Sequence, residues 1–267
     1  MSPPQQGYAL VTGASSGIGA AIAREYARRG VPLVLTARRV DRLEALAAEL
    51  RGQVDVRVLA TDLADPGAPA RLAAALGALD RPLRILVNNA GYGVPGRYRL
   101  NDWDTHAAFL QVMVGAVCEL TWRLLPALRA SCAGRILNVA SLAALVPSAD
   151  GQTLYAPAKA FMVKFTESLA LENADAGLHA CALCPGFTRS EFHDVTGTRE
   201  MMSKLPGWLW LQADAVARAG IEGVERGDVL VVPGVVYRVL HALARHLPRR
   251  FLLRRMAKNS RRIRSAG

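Results

Sequence analysis

Seven short apolar runs, at residues 9–11, 33–36, 54–60, 84–87, 135–139, 179–184 and 229–232, are separated by segments long enough to be helices. This alternation restricts the fold more than any other feature of the chain. Antiparallel strands can be joined by a two-residue turn, whereas parallel strands need a crossover of a dozen or more residues, usually a helix. The intervening segments carry helix-forming residues with apolar positions three and four apart, as in residues 42–50. The expected architecture is therefore α/β: a doubly wound parallel sheet covered on both faces. With 51% hydrophobic and 21% charged residues, 267 residues can bury enough core to remain one domain. No internal repeat, low-complexity segment or linker interrupts the pattern before the C-terminal end.

The net charge of +11 is concentrated at one end. Asp228 is the last acidic residue, and ten of the 33 basic side chains lie between Arg238 and Arg264. Without them the body carries 23 basic and 22 acidic residues, which argues against nucleic acid as a partner. Cys118, Cys132, Cys181 and Cys184 show no disulfide-framework spacing, which suits a reducing compartment. Cys181 and Cys184 form a C-x-x-C, but three positions apart on a strand place them on opposite faces, as core thiols and not as a redox or metal pair. No metal site is expected. The first six residues lack the basic and apolar regions of a signal peptide, and no uninterrupted apolar run reaches the ~18 residues of a membrane span. A cytoplasmic location is expected.

The first strand runs into TGASSGIG at residues 12–19, and a helix follows. Glycines at such a turn bring backbone N–H groups close to a pyrophosphate, and the helix N-terminus adds partial positive charge. Gly13, Ser15, Ser16, Gly17, Ile18 and Gly19 are the candidate contacts. After the first strand of a βαβ unit, this turn points to a dinucleotide. The second strand selects which one. An acidic residue at its end would repel a ribose 2′-phosphate; here Arg38 and Arg39 offer two guanidiniums, which favours NADP(H), although both could simply solvate a helix start. Asp62 could accept from the adenine amino group, with Leu63 adding its backbone, or Asp62 could merely cap the next helix.

Further along come Asn88-Asn89-Ala90-Gly91 after the fourth strand, Ser141 after the fifth, and Tyr155-Ala156-Pro157-Ala158-Lys159. The Y-x-x-x-K spacing puts a phenol and an ammonium one helical turn apart on one face. Pro157 is tolerated there only if the helix begins at about Tyr155. Together with TGASSGIG and PGFTRS at residues 185–190, in this order and spacing, these motifs resemble the short-chain dehydrogenase/reductase family over about residues 8–190. PGFTRSEF and the later VVPG are similar, more loosely, to its ketoacyl-reductase-like bacterial members.

The resemblance implies a Rossmann-type fold and a hydride transfer at a C=O or CH–OH group. Tyr155 would be the acid for carbonyl reduction and the base for alcohol oxidation, with Lys159 lowering its pKa and holding the nicotinamide ribose. Ser141 would hydrogen-bond the substrate oxygen. Asn89, Ala90 and Gly91 would line the dinucleotide, and Pro185, Gly186, Thr188 and Ser190 would anchor its carboxamide. One member is missing: many relatives place an asparagine of a proton relay in the long helix between residues 101 and 129, and ungapped counting puts Met113 there. Gln111, about 200° away around an α-helix, would not face the same site.

Residues 187–213 read as a lid, with Phe187, Phe192, Met201, Met202, Leu205, Trp208, Leu209, Trp210 and Leu211. Such a cover suits an apolar ketone or alcohol, acyl, lipid or steroid-like, or else packs on the body or a second subunit. His193 lies in the same stretch and is assigned no role. The catalytic domain is expected over residues 1–234, followed by a basic helical extension at 235–267. In that extension Val235, Val236, Val239, Leu240, Leu243 and Leu247 follow helical spacing, and Arg249, Arg250, Arg254, Arg255 and Lys258 follow. It could rest on an anionic membrane, recruit an acidic carrier protein, or remain a solvated end. Two functions stand: an NADP(H)-dependent oxidoreductase of apolar ketones, commonly a homo-oligomer in such a family, or a catalytically weakened dinucleotide-binding interaction or membrane-associated protein.

Overall fold

The computed structural model describes residues 7–148, 150–151, 153–189, 206–248 and 250–254. Its strands are β1 (Tyr8–Thr12), β2 (Leu33–Thr36), β3 (Val56–Val58), β4 (Leu83–Asn88), β5 (Arg135–Val139), β6 (His179–Leu183) and β7 (Leu230–Val231). They form one parallel sheet in the order β3-β2-β1-β4-β5-β6-β7. All seven expected strands are present. The third is shorter than residues 54–60 because it lies at the sheet edge and pairs only with the four-residue β2, from Leu33↔Val56 to Leu35↔Val58.

The crossovers are α1 (Gly17–Arg28), α2 (Val40–Leu50), α3 (Ala68–Gly77), α4 (Trp103–Leu110), α5 (Ala116–Ala130), α6 (Tyr155–Glu172) and α7 (Ala213–Arg226), with α8 (Val235–His246) after the last strand. Alternate residues of each strand feed opposite cores, as the period of two requires. Ala9, Val11, Leu33, Leu35 and Val87 pack with Ile22, Leu43 and Ile221 on one face. Tyr8, Leu10, Val34 and Leu86 pack with Leu72, Leu120 and Leu169 on the other. The two cysteines of the C-x-x-C are buried in different clusters, Cys181 with the first and Cys184 with a third beside Met162. Burial pushes both thiols up to about 12, so they stay protonated.

A π-helical turn, Gln111–Gly115, joins α4 to α5. The combined helix, Trp103–Ala130, is apolar and long enough to cross a bilayer by composition. Its apolar residues are spent on the sheet: Val112, Ala116, Leu120, Leu124 and Leu128 are buried in the core beneath it. Because the sheet order reverses about β1 and β4, a crevice opens beyond their carboxyl ends. The glycine turn after β1, Asn89 after β4, Ser141 after β5 and Pro185 after β6 all leave the sheet on that edge.

Candidate active site

The chain leaves β1 through Gly13 and enters α1 through Gly17, at φ of +66° and +56°. At Gly13 a side chain is excluded twice, by that backbone conformation and because a Cβ would lie 2.8 Å from the Cα of Ala90. The turn is tied to β4 through Thr12, whose Oγ1 donates to the Val87 carbonyl (3.1 Å) and accepts from the N–H groups of Asn89 (2.9 Å) and Ala90 (3.0 Å). The Asn89 side chain donates to the carbonyls of Thr12 (2.8 Å) and Gly13 (3.2 Å). Its amide therefore braces the cradle.

At the start of α1, Ser16 makes no side-chain cap and the first turn holds no acidic residue. The positive end of the helix is thus left for an anion. Arg39 folds back onto this turn, with Nη2 2.9 Å from Ser16 Oγ and 3.2 Å from Ser15 Oγ. Arg38 is exposed at the end of β2. Asp62 Oδ1 accepts from the Ala64 N–H (3.0 Å) in a local turn and does not cap the next helix, whose N-cap is Gly67, while the Leu63 side chain is in the core and leaves only its backbone to the crevice. Together, the close-packed glycine turn, uncapped helix end and cationic side chain fit a dinucleotide with phosphate on the turn.

Beside this cradle, Ser141 caps a short 3-10 turn, Leu142–Ala144, accepting from the Ala143 N–H (3.1 Å). Tyr155 is the first residue of α6, so Pro157 falls in the first turn as expected. The hydroxyls of Ser141 and Tyr155 are hydrogen-bonded to each other. Lys159, one turn on and only 4% exposed, donates from Nζ to the Val139 carbonyl (2.7 Å) and lies 5.9 Å from the Tyr155 ring centroid. Burial pulls the Lys159 ammonium down to about 8.

The expected acidification of the phenol is not what the side chains around Tyr155 produce. Burial pushes Tyr155 up to about 12, and the bond to Ser141 offsets only part of that. The physical reason is that desolvation of the phenolate outweighs the Ser141 hydrogen bond, while the Lys159 ammonium is bonded to the Val139 carbonyl.

Met113, which ungapped counting sets at the place of the relay asparagine, lies near Gly91. It is fully buried on the π turn, where its Sδ and the Lys159 Nζ approach the same side of Gly91: a Cβ there would lie 2.9 Å from the sulfur and 3.7 Å from the ammonium. Gln111 instead packs against Gly115 of its own helix. The helix is not α at this point, so the 200° argument rested on the wrong pitch, although its conclusion about Gln111 stands.

Beyond β6, Thr188 is buried, its Oγ1 donating to the Gly186 carbonyl (3.1 Å), and it pairs with Leu211 in an isolated bridge. Ser190, and Phe192, His193, Met201, Met202 and Leu205 of the expected lid, lie outside the described residues, as do Arg249, Arg255 and Lys258 of the tail. Of the rest of the lid, Leu209 and Leu211 pack on the body, Phe187 lies 6.1 Å from Trp210 between ring centroids, and Trp208 is exposed.

Two features escaped the sequence reading. A buried polar chain runs from Thr121 through Asn88 and Asn138 to Thr166, locking α5, β4, β5 and α6 together behind the site. The four residues are too far apart in sequence to signal it. The second is Tyr237. The apolar residues of α8 follow the expected helical spacing, and Val235, Val239, Leu240, Leu243 and Leu247 are all exposed, whereas Tyr237, off that stripe, is the buried anchor. A phenol placed just after VVPG was the available clue.

A parallel sheet in this order, with a phosphate cradle at its switch point and a Ser–Tyr–Lys group beside it, defines an α/β oxidoreductase that uses a nicotinamide dinucleotide. The family described as short chain dehydrogenase matches residues 7–200, and the chain belongs to it. Sulfoacetaldehyde reductase of Chromohalobacter salexigens is 36% identical over 188 residues, covering 68% of this chain and 73% of the relative. A short-chain dehydrogenase of Sphingobium yanoikuyae in complex with NADPH is 30% identical with a TM-score of 0.78, covering 91% and 96% of the two chains. The bulky-bulky ketone specific alcohol dehydrogenase of Comamonas testosteroni is 27% identical with a TM-score of 0.74, covering 91% and 95%.

Proposed function

We propose that this chain is an NADP(H)-dependent oxidoreductase that reduces an apolar ketone to a secondary alcohol, or runs the reverse reaction, with Tyr155 as its acid/base. The observation that carries this reading is the hydrogen-bonded pair of Ser141 and Tyr155 hydroxyls over a buried Lys159. When bound, the nicotinamide supplies or accepts the hydride. Ser141 orients the carbonyl oxygen, and Tyr155 holds the proton that this oxygen needs. Held near 12, the phenol stays protonated throughout the physiological range, which suits a general acid for reduction. Oxidation needs more positive charge beside it, from Lys159 in its ammonium form and from an oxidised ring. Lys159 would hold the ribose hydroxyls, and its bond to Val139 supports this by fixing where its charge sits.

Preference for the 2′-phosphate rests on Arg39 at Ser15 and Ser16, with Arg38 beside it. The NADPH complex of the Sphingobium relative and the ketone specificity in the name of the Comamonas relative support the cofactor and substrate class. Exposed Trp122, Phe161 and Leu171 on α5 and α6 support a homo-oligomer. NADPH oxidation against a panel of hydrophobic ketones tests the reading. Turnover supports it; cofactor binding without turnover of any ketone favours the second reading, a weakened dinucleotide-binding protein, which the apolar Met113 beside Lys159 supports.

The tail gives a peripheral contact a specific basis. The exposed stripe of α8 lies among Arg238, Arg245, Arg250 and Arg254 with no acidic residue after Asp228, a combination complementary to an anionic lipid surface.

A further inference from the structure

The hydroxyl of Tyr237 holds two backbone groups at once. It accepts from the Phe187 N–H (3.1 Å) and donates to the Leu209 carbonyl (2.5 Å). The ring covers Gly186 so closely that a Cβ there would lie 2.2 Å from Cζ and 2.3 Å from Cε1. The same short turn is held on its other sides. Leu211 N–H donates to the Phe187 carbonyl (2.8 Å), Arg189 N–H donates to the Leu211 carbonyl (3.0 Å), and Leu142 N–H, next to Ser141, donates to the Pro185 carbonyl (2.9 Å). Tyr237 itself is 2% exposed, although it comes from the helix that begins the basic tail.

Packing alone would be satisfied by phenylalanine. The hydroxyl adds fixed positions for residues 186 and 187, and through Pro185 those positions are transmitted to the turn carrying Ser141. We propose that Tyr237 is a positioning residue for the nicotinamide end of the cofactor: it presets the backbone of residues 185–188 to receive the carboxamide. This rests on the dinucleotide reading given above. It also makes the start of α8 part of the catalytic unit, so the division between residues 234 and 235 does not separate two independent parts.

The test is Tyr237→Phe, which keeps the ring over Gly186 and removes both hydrogen bonds. NADPH affinity and KM for NADPH should worsen about tenfold, the loss expected for one well-made buried hydrogen bond, with a much smaller change in kcat. Affinity for adenosine 2′,5′-bisphosphate, which reaches only the glycine turn and Arg39, should not change. Equal weakening of both ligands would mean a general fold defect, and unchanged NADPH binding would mean an idle hydroxyl; either overturns the proposal. Wild-type chain that binds neither ligand would overturn the parent reading, and this one with it. If the variant does not fold, hydrogen exchange on the wild type decides: NADPH should protect peptides covering residues 185–189 and 235–240 beyond what the bisphosphate does. Protection confined to the glycine turn would refute the assignment.

Discussion

Replacing Lys159 by methionine should raise the stability of the ligand-free protein at neutral pH while removing its activity. The ammonium is buried, and its pKa falls from 10.5 to about 8 because desolvation penalises the charged form. Below about 8 both folded and unfolded chains carry the charge, and the fold bears the whole penalty. Between about 8 and 10.5 the unfolded chain keeps a proton that the folded chain has released, so stability rises with pH across that window. The gap between the two values corresponds to roughly 3 kcal/mol. Methionine is apolar and of similar length, so it escapes the penalty but leaves the Val139 carbonyl without its lysine partner, at a cost of about 1 kcal/mol. The net expectation at pH 7 is a gain of ~2 kcal/mol, or about 5 °C in Tm for a chain of this size. Urea titrations of both proteins at pH 7, 8.5 and 10 measure it. The advantage of Lys159→Met should shrink as pH rises and vanish at about pH 10, where the remaining penalty equals the cost of the lost hydrogen bond. A variant less stable than wild type at pH 7, or a difference that does not vary with pH, would refute the argument that desolvation dominates at this lysine.

Arg39→Ala should lower the preference for NADPH over NADH by roughly 10- to 100-fold, as expected for a charge-assisted contact, read from kcat/KM with each cofactor; an unchanged ratio would remove Arg39 from the 2′-phosphate site. Deleting residues 249–267 should leave turnover of a soluble ketone intact and weaken binding to anionic vesicles, measured by co-sedimentation; equal binding by the truncated chain would dispose of the lipid contact. Met113→Asn should raise kcat if proton supply to Lys159 limits the reaction, and a solvent isotope effect that is large in wild type and smaller in the variant would mark that step.

Most of the architecture was legible because period and length alone specify it. Short apolar runs of three to seven residues separated by helices leave few alternatives to a parallel sheet, and all seven strands fall within two residues of the expected limits. The glycine turn, Ser141, Tyr155 and Lys159 were legible for a different reason: each sits where a strand ends or a helix begins, so a local motif fixes its place. What sequence could not supply was the balance of energies between distant groups. The polar chain through Asn88 and Asn138 depends on pairing between strands 50 residues apart. Tyr155 is kept protonated by burial, a property of the packed site that the Y-x-x-x-K spacing does not contain. Tyr237 was not legible because the spacing of the apolar residues of α8 does not say which side meets the body, and the buried residue lies off their stripe.

The most direct test of the account is the kinetics of Tyr155→Phe with the best ketone found. Loss of the hydroxyl should lower kcat by about 10²- to 10⁴-fold, the usual contribution of a general acid, with NADPH affinity and fold unchanged. A variant that turns over at the wild-type rate would mean that the proton reaches the substrate oxygen from some other group.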